Sequence, residues 1–269
     1  MFIRTIAGAL SSVLFPAPCR ICGEILTGAS RIPLCDRCLN DFERITEPLC
    51  QSCGRPFISP HAADAMPPLC RLCRIGAYGF DRARSYGVYD EALSAAIVLL
   101  KYEGVRPLGD WFAARLAEVV RERASDWNID LVIPVPLHLG RLRERGYNQA
   151  ELIAKPLARK LGLRFGSYLL VRTKPRPSQL ILSRTERWSS VRGAYATRER
   201  ARVDNLRILL VDDVLTTGAT LDACSRALKK AGAAAVFAVT MARVVPGWLR
   251  LSVGRNSIRE TVPADTASL

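Results

Sequence analysis

The chain has 269 residues, of which 39 are Lys or Arg, 25 Asp or Glu and 2 His, for a formal charge of +14. At 49% hydrophobic it is too apolar for a disordered chain and long enough for one or two domains with ordinary cores. No apolar run approaches the roughly 18–20 residues that cross a bilayer, the longest clean one being Ala233 to Val239, and His61 and His138 stand too far apart for a multi-histidine metal centre.

Residues 1–18 open the chain with Ile3, Ile6, Leu10, Val13 and Leu14 spaced along one face of a short amphipathic helix. A single Arg4 and the Pro16-Ala17-Pro18 run after it make a poor secretory signal. The segment is expected to pack on the body of the protein, which is expected to be cytoplasmic.

Residues 19–75 hold eight of the nine cysteines in four identical steps: Cys19-x-x-Cys22, Cys35-x-x-Cys38, Cys50-x-x-Cys53 and Cys70-x-x-Cys73. One such step is shared with redox motifs and means little. Four within 55 residues point to two structural Zn2+ ions, each held by four thiolates with no position left open for catalysis. A disulfide framework would need an oxidising compartment. Spacing alone does not fix the pairing. The sequential arrangement, two tandem ribbons, is preferred to an interleaved one, and His61 is a weak rival ligand. Metal also meets a physical need, because a core this small supplies only about 3–5 kcal/mol, whereas a structural zinc contributes on the order of 10 kcal/mol.

From residue 76 to 243 the pattern becomes alternating strands and helices. Strands are predicted at 83–89, 131–133, 168–171, 207–211 and 235–242, and helices at 91–101, 108–123, 148–161 and 219–231. That alternation predicts an α/β fold with a largely parallel sheet covered by helices on both faces. Pro156 inside the third helix predicts a kink or an early break. Cys224 reads as a small buried side chain.

The most informative segment runs from Ile208 to Thr220, ILLVDDVLTTGAT. An apolar strand ends in Asp212 and Asp213, and a tight loop of threonines and glycine then opens a helix. Such a loop offers backbone N–H groups, hydroxyls and the positive end of a helix dipole to an anion. The paired acids suit the vicinal hydroxyls of a ribose with Mg2+ nearby. No Gly-Lys-Ser/Thr follows, so it is not a Walker loop.

These residues resemble, at every characteristic position, the phosphoribosyl pyrophosphate (PRPP) signature of type I phosphoribosyltransferases. The resemblance assigns the ribose hydroxyls to Asp212 and Asp213, and the 5′-phosphate to Thr216, Thr217, Gly218, Ala219 and Thr220. The family's pyrophosphate loop matches Ile133-Pro134-Val135-Pro136 and the residues just after it. Val135, Pro136, Lys101, Arg141, Arg143 and Arg145 are therefore candidates for holding pyrophosphate. More specifically the chain is similar to the ComF family, which joins cysteine ribbons to a phosphoribosyltransferase-like domain. The matching pieces are the four cysteine steps, Leu100-Lys101-Tyr102-x-Gly104, Arg143-x-Arg145-Gly146-Tyr147-Asn148-Gln149-Ala150, Leu182-Ser183-Arg184-x-Glu186-Arg187 and Val191-Arg192-Gly193-Ala194-Tyr195. They cover nearly all of 19–243. Trp188-Ser189-Ser190 departs from the family pattern, and the tail 244–269 has no counterpart and is expected to be flexible.

The basic excess is local. Residues 141–207 hold 17 Lys and Arg against 5 Asp and Glu, a net +12. With two four-thiolate zinc sites the whole-chain formal charge of +14 falls to about +10, and the excess remains concentrated there. Residues 172–192 read as a long polar excursion, matching the mobile hood of type I phosphoribosyltransferases, with Arg176, Arg184 and Arg187 as candidates. PRPP is too small to engage so many cations, so part of the stretch suits a nucleic acid backbone. The resemblance implies DNA uptake, with single-stranded DNA and proteins of the uptake machinery as partners. The rival expectation is a phosphoribosyltransferase acting on a small acceptor. No general base or acceptor pocket stands out, catalytic residues are not assigned, and the oligomeric state is open, a homo-oligomer included.

Overall fold

The structure, a computed structural model, describes residues 17–26, 28, 30–57, 66–175, 184–198 and 202–245. The helix expected within 1–18, His61, Arg176 and nearly all of the tail lie outside the described residues.

After two cysteine ribbons, which contain the short helices α1 (Asp36–Asn40) and α2 (Arg71–Arg74), the chain enters β1 (Arg82–Val88). Helices α3 (Glu91–Tyr102) and α4 (Leu108–Arg123) lead to β2 (Leu131–Pro134). Then come α5 (Leu139–Arg145), α6 (Gln149–Leu161), β3 (Arg164–Phe165), β4 (Leu170–Arg172), α7 (Arg184–Val191) and β5 (Tyr195–Thr197). The last elements are β6 (Arg207–Leu215), α8 (Ala219–Lys230) and β7 (Ala235–Arg243). Five strands form one sheet in the order β1-β7-β6-β2-β3, and all four pairings are parallel. β4 and β5 form a separate antiparallel pair.

Strand periodicity splits the interior into two cores. Leu209, Val211, Phe237, Val239 and Met241 point into one, together with α3, α4 and α6. Ile208, Leu210, Val236 and Ala238 point into the other, beneath α8. Both faces are covered, so β6 and β7 read as continuous apolar runs. The ribbons belong to these cores. The first contributes Cys19, Leu26, Leu34, Cys38 and Leu39 to the α3–α4 side, and the second contributes Cys50, Cys53 and Cys70 to the α8 side. The chain between them covers the edge of β1, where Ile45 N donates to Tyr86 O at 3.0 Å and Val88 N to Glu43 O at 2.9 Å. Pairing of this kind protects an exposed strand edge.

Pro156 does not break its helix: α6 runs unbroken from Gln149 to Leu161. A proline at this position leaves the carbonyl four residues earlier, that of Leu152, without its helical donor. That carbonyl meets α4 at Gly109, where an added Cβ would lie 2.6 Å from Leu152 O. Glycine lets the two helices approach closely, with Cα–H facing the freed carbonyl. Other differences from the sequence reading lie in 137–198. A helix, α5, occupies the place of the expected pyrophosphate loop, and the excursion 172–192 contains α7. Only Trp188 and Val191 supply α7 with an apolar face, too short a pattern to announce a helix. Among the described residues no helix is long and apolar enough to cross a membrane.

Candidate functional site

Each ribbon gathers four thiols in sequential pairing: Cys19, Cys22, Cys35 and Cys38 in one cluster, Cys50, Cys53, Cys70 and Cys73 in the other, all Sγ atoms within 4.8 Å of one another. The turns are built alike. Gly23 N donates to Cys19 O at 2.8 Å and Gly54 N to Cys50 O at 2.9 Å. Cys35 N reaches Cys19 Sγ and Cys70 N reaches Cys50 Sγ, each at 3.3 Å. Four sulfurs about 2.3 Å from one Zn2+ lie about 3.8 Å apart. Cys22 and Cys35 are 3.6 Å apart and Cys53 and Cys70 3.7 Å, which fits a shared ion and is far from the roughly 2.05 Å of a disulfide. None of the nine cysteines is in a disulfide. The two clusters fit zinc ribbons, and the metal would supply folding energy there, not chemistry.

At the carboxyl ends of β2 and β6, where ligands bind in open α/β sheets, lies a cleft of about 200 Å³. Its floor is the β6–α8 junction. β6 continues past Val211 through both acids to Leu215, with Asp212 opposite Thr240 and Leu215 opposite Arg243 of β7. Thr216, Thr217, Ala219 and Thr220 line the cleft. Gly218, in the left-handed region at φ +85°, turns the chain into α8. On the far wall, Val135 and Pro136 follow β2. Asn148 anchors that wall, accepting from Ala150 N at 3.1 Å as the cap of α6 and donating Nδ2 to Val135 O at 3.0 Å.

Charge in the cleft is arranged asymmetrically. Asp212 and Asp213 are 9% and 4% exposed, and successive strand residues project to opposite faces. Asp213 forms a salt bridge with Lys101 of α3 at 3.1 Å. Burial works against the Lys101 ammonium, but the Asp213 carboxylate outweighs it and holds the ammonium above its usual range. Among the described residues Asp212 has no salt-bridge partner. Burial, and then the Asp213 charge, push its carboxyl up to about 8. Arg172 of β4 also lines the cleft. It donates Nη1 to Tyr195 Oη at 3.1 Å and Nε to Lys174 O at 3.0 Å, while its buried Nη2 has no hydrogen-bond partner among the described residues. Cys224 is fully buried behind the cleft, and burial pushes its thiol well up, as befits a packing residue.

Most sequence-predicted residues meet here. Lys101, Val135, Pro136, Arg141, Arg145, Asp212, Asp213, Thr216, Thr217, Ala219 and Thr220 all line one cleft. Arg143 does not: Arg141 and Arg145 are four residues apart on one face of α5, and Arg143 between them points away. Lys101 lies in the cleft as the partner of Asp213, not as a free cation. Side chains of Arg184 and Arg187 lie outside the described residues, but Ser190 and Val191 at the end of α7 reach the cleft. Sequence reasoning missed Tyr102, His138, Gln149, Arg172 and Tyr195 as lining residues. Tyr102, Gln149 and Tyr195 had a signal, since all three stand inside the family-like segments. Arg172 had one as well, since it opens the polar excursion 172–192 that reads as a hood.

A parallel sheet with its anion-type loop at the strand ends and two cysteine ribbons defines a phosphoribosyltransferase-like α/β protein braced by zinc-ribbon modules. Family models agree: a double zinc ribbon domain matches residues 10–74, and a phosphoribosyl transferase domain matches residues 148–251. Competence protein F of Haemophilus influenzae is 30% identical over 205 residues, covering 74% of this chain and 85% of that protein. Competence protein ComFC of Bacillus subtilis is 30% identical over 217 residues, 78% of this chain and 84% of that one. DNA utilization protein YhgH of Salmonella typhimurium is 29% identical over 224 residues, 82% and 94% respectively. The chain belongs to the ComF family.

Proposed function

We propose that the cleft binds PRPP with Mg2+ and that the protein serves DNA uptake, handling single-stranded DNA on its basic surface. One observation carries the ligand: the Asp212-Asp213 pair and the Thr216–Thr220 loop share a cleft with Arg141, Arg145 and Arg172. The loop, with the α8 N-terminus behind it, suits a terminal phosphate. Asp212 and Asp213 suit ribose hydroxyls. Arg141 and Arg145 lie beside Val135 and Pro136, where pyrophosphate oxygens can be met by guanidinium forks. Mg2+ would supply positive charge to a carboxylate pair that burial leaves short of it, as the raised Asp212 carboxyl reflects.

The uptake role rests on relatives named competence and DNA utilization proteins. It is supported by exposed Arg143, Lys155, Arg159, Lys160, Arg164, Arg192, Arg198 and Arg202, none of which lines the cleft. A second reading, transfer of phosphoribose to a small acceptor, is favoured by the two arginines placed to hold departing pyrophosphate.

Calorimetry tests the site. PRPP with Mg2+ should bind the wild type and not the Asp212→Ala/Asp213→Ala protein; equal affinity in both would remove the assignment. Oligonucleotide binding should weaken steeply with salt, and binding that ignores salt would remove the DNA-backbone reading. Pyrophosphate release from PRPP with a panel of bases, with and without single-stranded DNA, separates the transferase reading from the uptake reading.

A further inference from the structure

The second cysteine cluster touches the phosphate loop before, within and after it. Before the loop, Arg243 at the end of β7 is 2% exposed. It donates Nη1 to Cys53 O at 2.7 Å and lies with Nη2 3.4 Å from Cys53 Sγ. In the sheet it stands opposite Leu215, the residue that enters the loop. Within the loop, Tyr78 donates its hydroxyl to Thr217 O at 3.2 Å. Its ring lies against Gly218, where an added Cβ would sit 2.5 Å from Tyr78 Cε1. After the loop, Gly79 N donates to Asp222 Oδ1 in the first turn of α8 at 2.6 Å. Tyr78 is itself fixed on two sides. The turn after Cys73 is closed by Gly76 N to Cys73 O at 3.1 Å and Ala77 N to Leu72 O at 3.0 Å. Its ring stacks on Phe80 at 4.7 Å and on Trp188 of α7 at 6.0 Å.

We propose that the second ribbon is the support of the phosphate loop, with Tyr78 as the positioning residue, so that metal at this cluster and ligand in the cleft stabilise one another. The first cluster packs on the opposite face of the sheet, in the core that contains α3 and α4, and makes none of these contacts among the described residues. The loop binds anions through backbone N–H groups, whose aim depends on how the backbone is held. A displacement of about 1 Å at such a site costs up to about a hundredfold in function. Arg243 donates to the carbonyl and approaches the sulfur of one thiolate ligand, the kind of outer contact that tunes a metal site. Linkage is reciprocal, so ligand must strengthen metal retention by the same factor as metal strengthens ligand binding.

This inference rests on the PRPP reading, and the experiment keeps the two apart. PRPP affinity is measured by calorimetry for the wild type, Tyr78→Phe, Tyr78→Ala and Tyr86→Ala, the last a buried tyrosine in the other core. Release of the two zinc ions to a chromogenic chelator is followed with and without PRPP. Tyr78→Phe, which keeps the ring, should lose about fivefold in affinity, the equivalent of one neutral hydrogen bond. Tyr78→Ala should lose tenfold or more, and Tyr86→Ala, whatever it costs in thermal stability, should bind as the wild type does. PRPP should slow release of one zinc and not the other, and Tyr78→Ala should abolish that difference. Wild-type affinity in both Tyr78 variants, or equal slowing of both ions, overturns the proposal while leaving the PRPP site intact. A wild type that binds no PRPP removes the functional reading and this inference together.

Discussion

Asp212→Asn should change how stability depends on pH. Burial and then the Asp213 charge hold the Asp212 carboxyl up at about 8, against roughly 4 for an exposed aspartate. A carboxyl whose folded-state value lies above its unfolded value binds its proton more tightly when the protein is folded. Its favourable contribution is complete below about pH 4 and is lost as pH rises toward about 8. Inside that window the folded state holds up to one extra proton, so stability falls by up to about 1.4 kcal/mol per pH unit. Across the window this amounts to several kcal/mol, on the order of 5 at most. Asparagine keeps the shape and cannot ionise. Urea unfolding of the two proteins from about pH 5 to about pH 8 reads the effect of Asp212 together with its neighbour Asp213, because titrating groups away from this pair are common to both. The variant should gain on the wild type steadily with pH and be several kcal/mol more stable at the alkaline end. Parallel stability curves would refute the reasoning. The same proton should leave when Mg2+ and PRPP bind, making the heat of binding depend on the buffer.

The Lys101–Asp213 pair should behave as a unit. Lys101→Met leaves a buried carboxylate unpaired and should cost about 3–5 kcal/mol, whereas adding Asp213→Asn should restore part of the loss. A cycle with no coupling, read from urea unfolding, would mean that the 3.1 Å contact contributes nothing. Metal analysis should find two zinc ions per chain, with Cys50→Ser and Cys19→Ser each lowering the count by one; a count of one or none in the wild type would refute the double ribbon.

Legibility tracked the strength of the physical signal. β6 and β7 are covered on both faces, so they announce themselves as continuous apolar runs. Leu108–Arg123 is legible to the residue because its apolar spacing lasts four turns. The cysteine steps gave the number of clusters but not their partners, since pairing depends on a turn, Cys35 N to Cys19 Sγ, that spacing does not encode. Pro156 misled because local propensity forbids what tertiary packing accepts: the cost of the lost hydrogen bond is offset where Gly109 of α4 closes on the freed carbonyl. Residues 137–198 were least legible. α5 has no buried residue at all, so no periodic apolar face could betray it, and Arg143 could not be told from Arg141 and Arg145 without a helix to set their directions. Tyr78 escaped notice for a different reason. Its role is defined by Thr217 and Gly218, 139 and 140 positions away along the chain, and nothing in its neighbourhood marks a site.

The net +12 of residues 141–207 divides into two populations that ask for different ligands. Arg141, Arg145 and Arg172 line the cleft together with Asp212 and Asp213; Asp213 is already paired with Lys101, and Arg141 also meets Glu144 of its own helix at 3.5 Å. A small polyanion satisfies that arrangement. Lys155, Arg159, Lys160 and Arg164 follow α6 and its C-terminal turn on the outside of the molecule. Arg159 meets Asp110 at 3.4 Å, but with side chains 76% and 67% exposed such a pair contributes little to folding. Charges of this second kind cost the folded state repulsion and return almost no stability, so their number is better explained by a partner that meets them. A flexible polyanion that neutralises several at once, releasing its counterions, is the partner that gains most from them. On the proposed reading, the first population serves one phosphorylated small molecule inside the cleft and the second a phosphate backbone outside it.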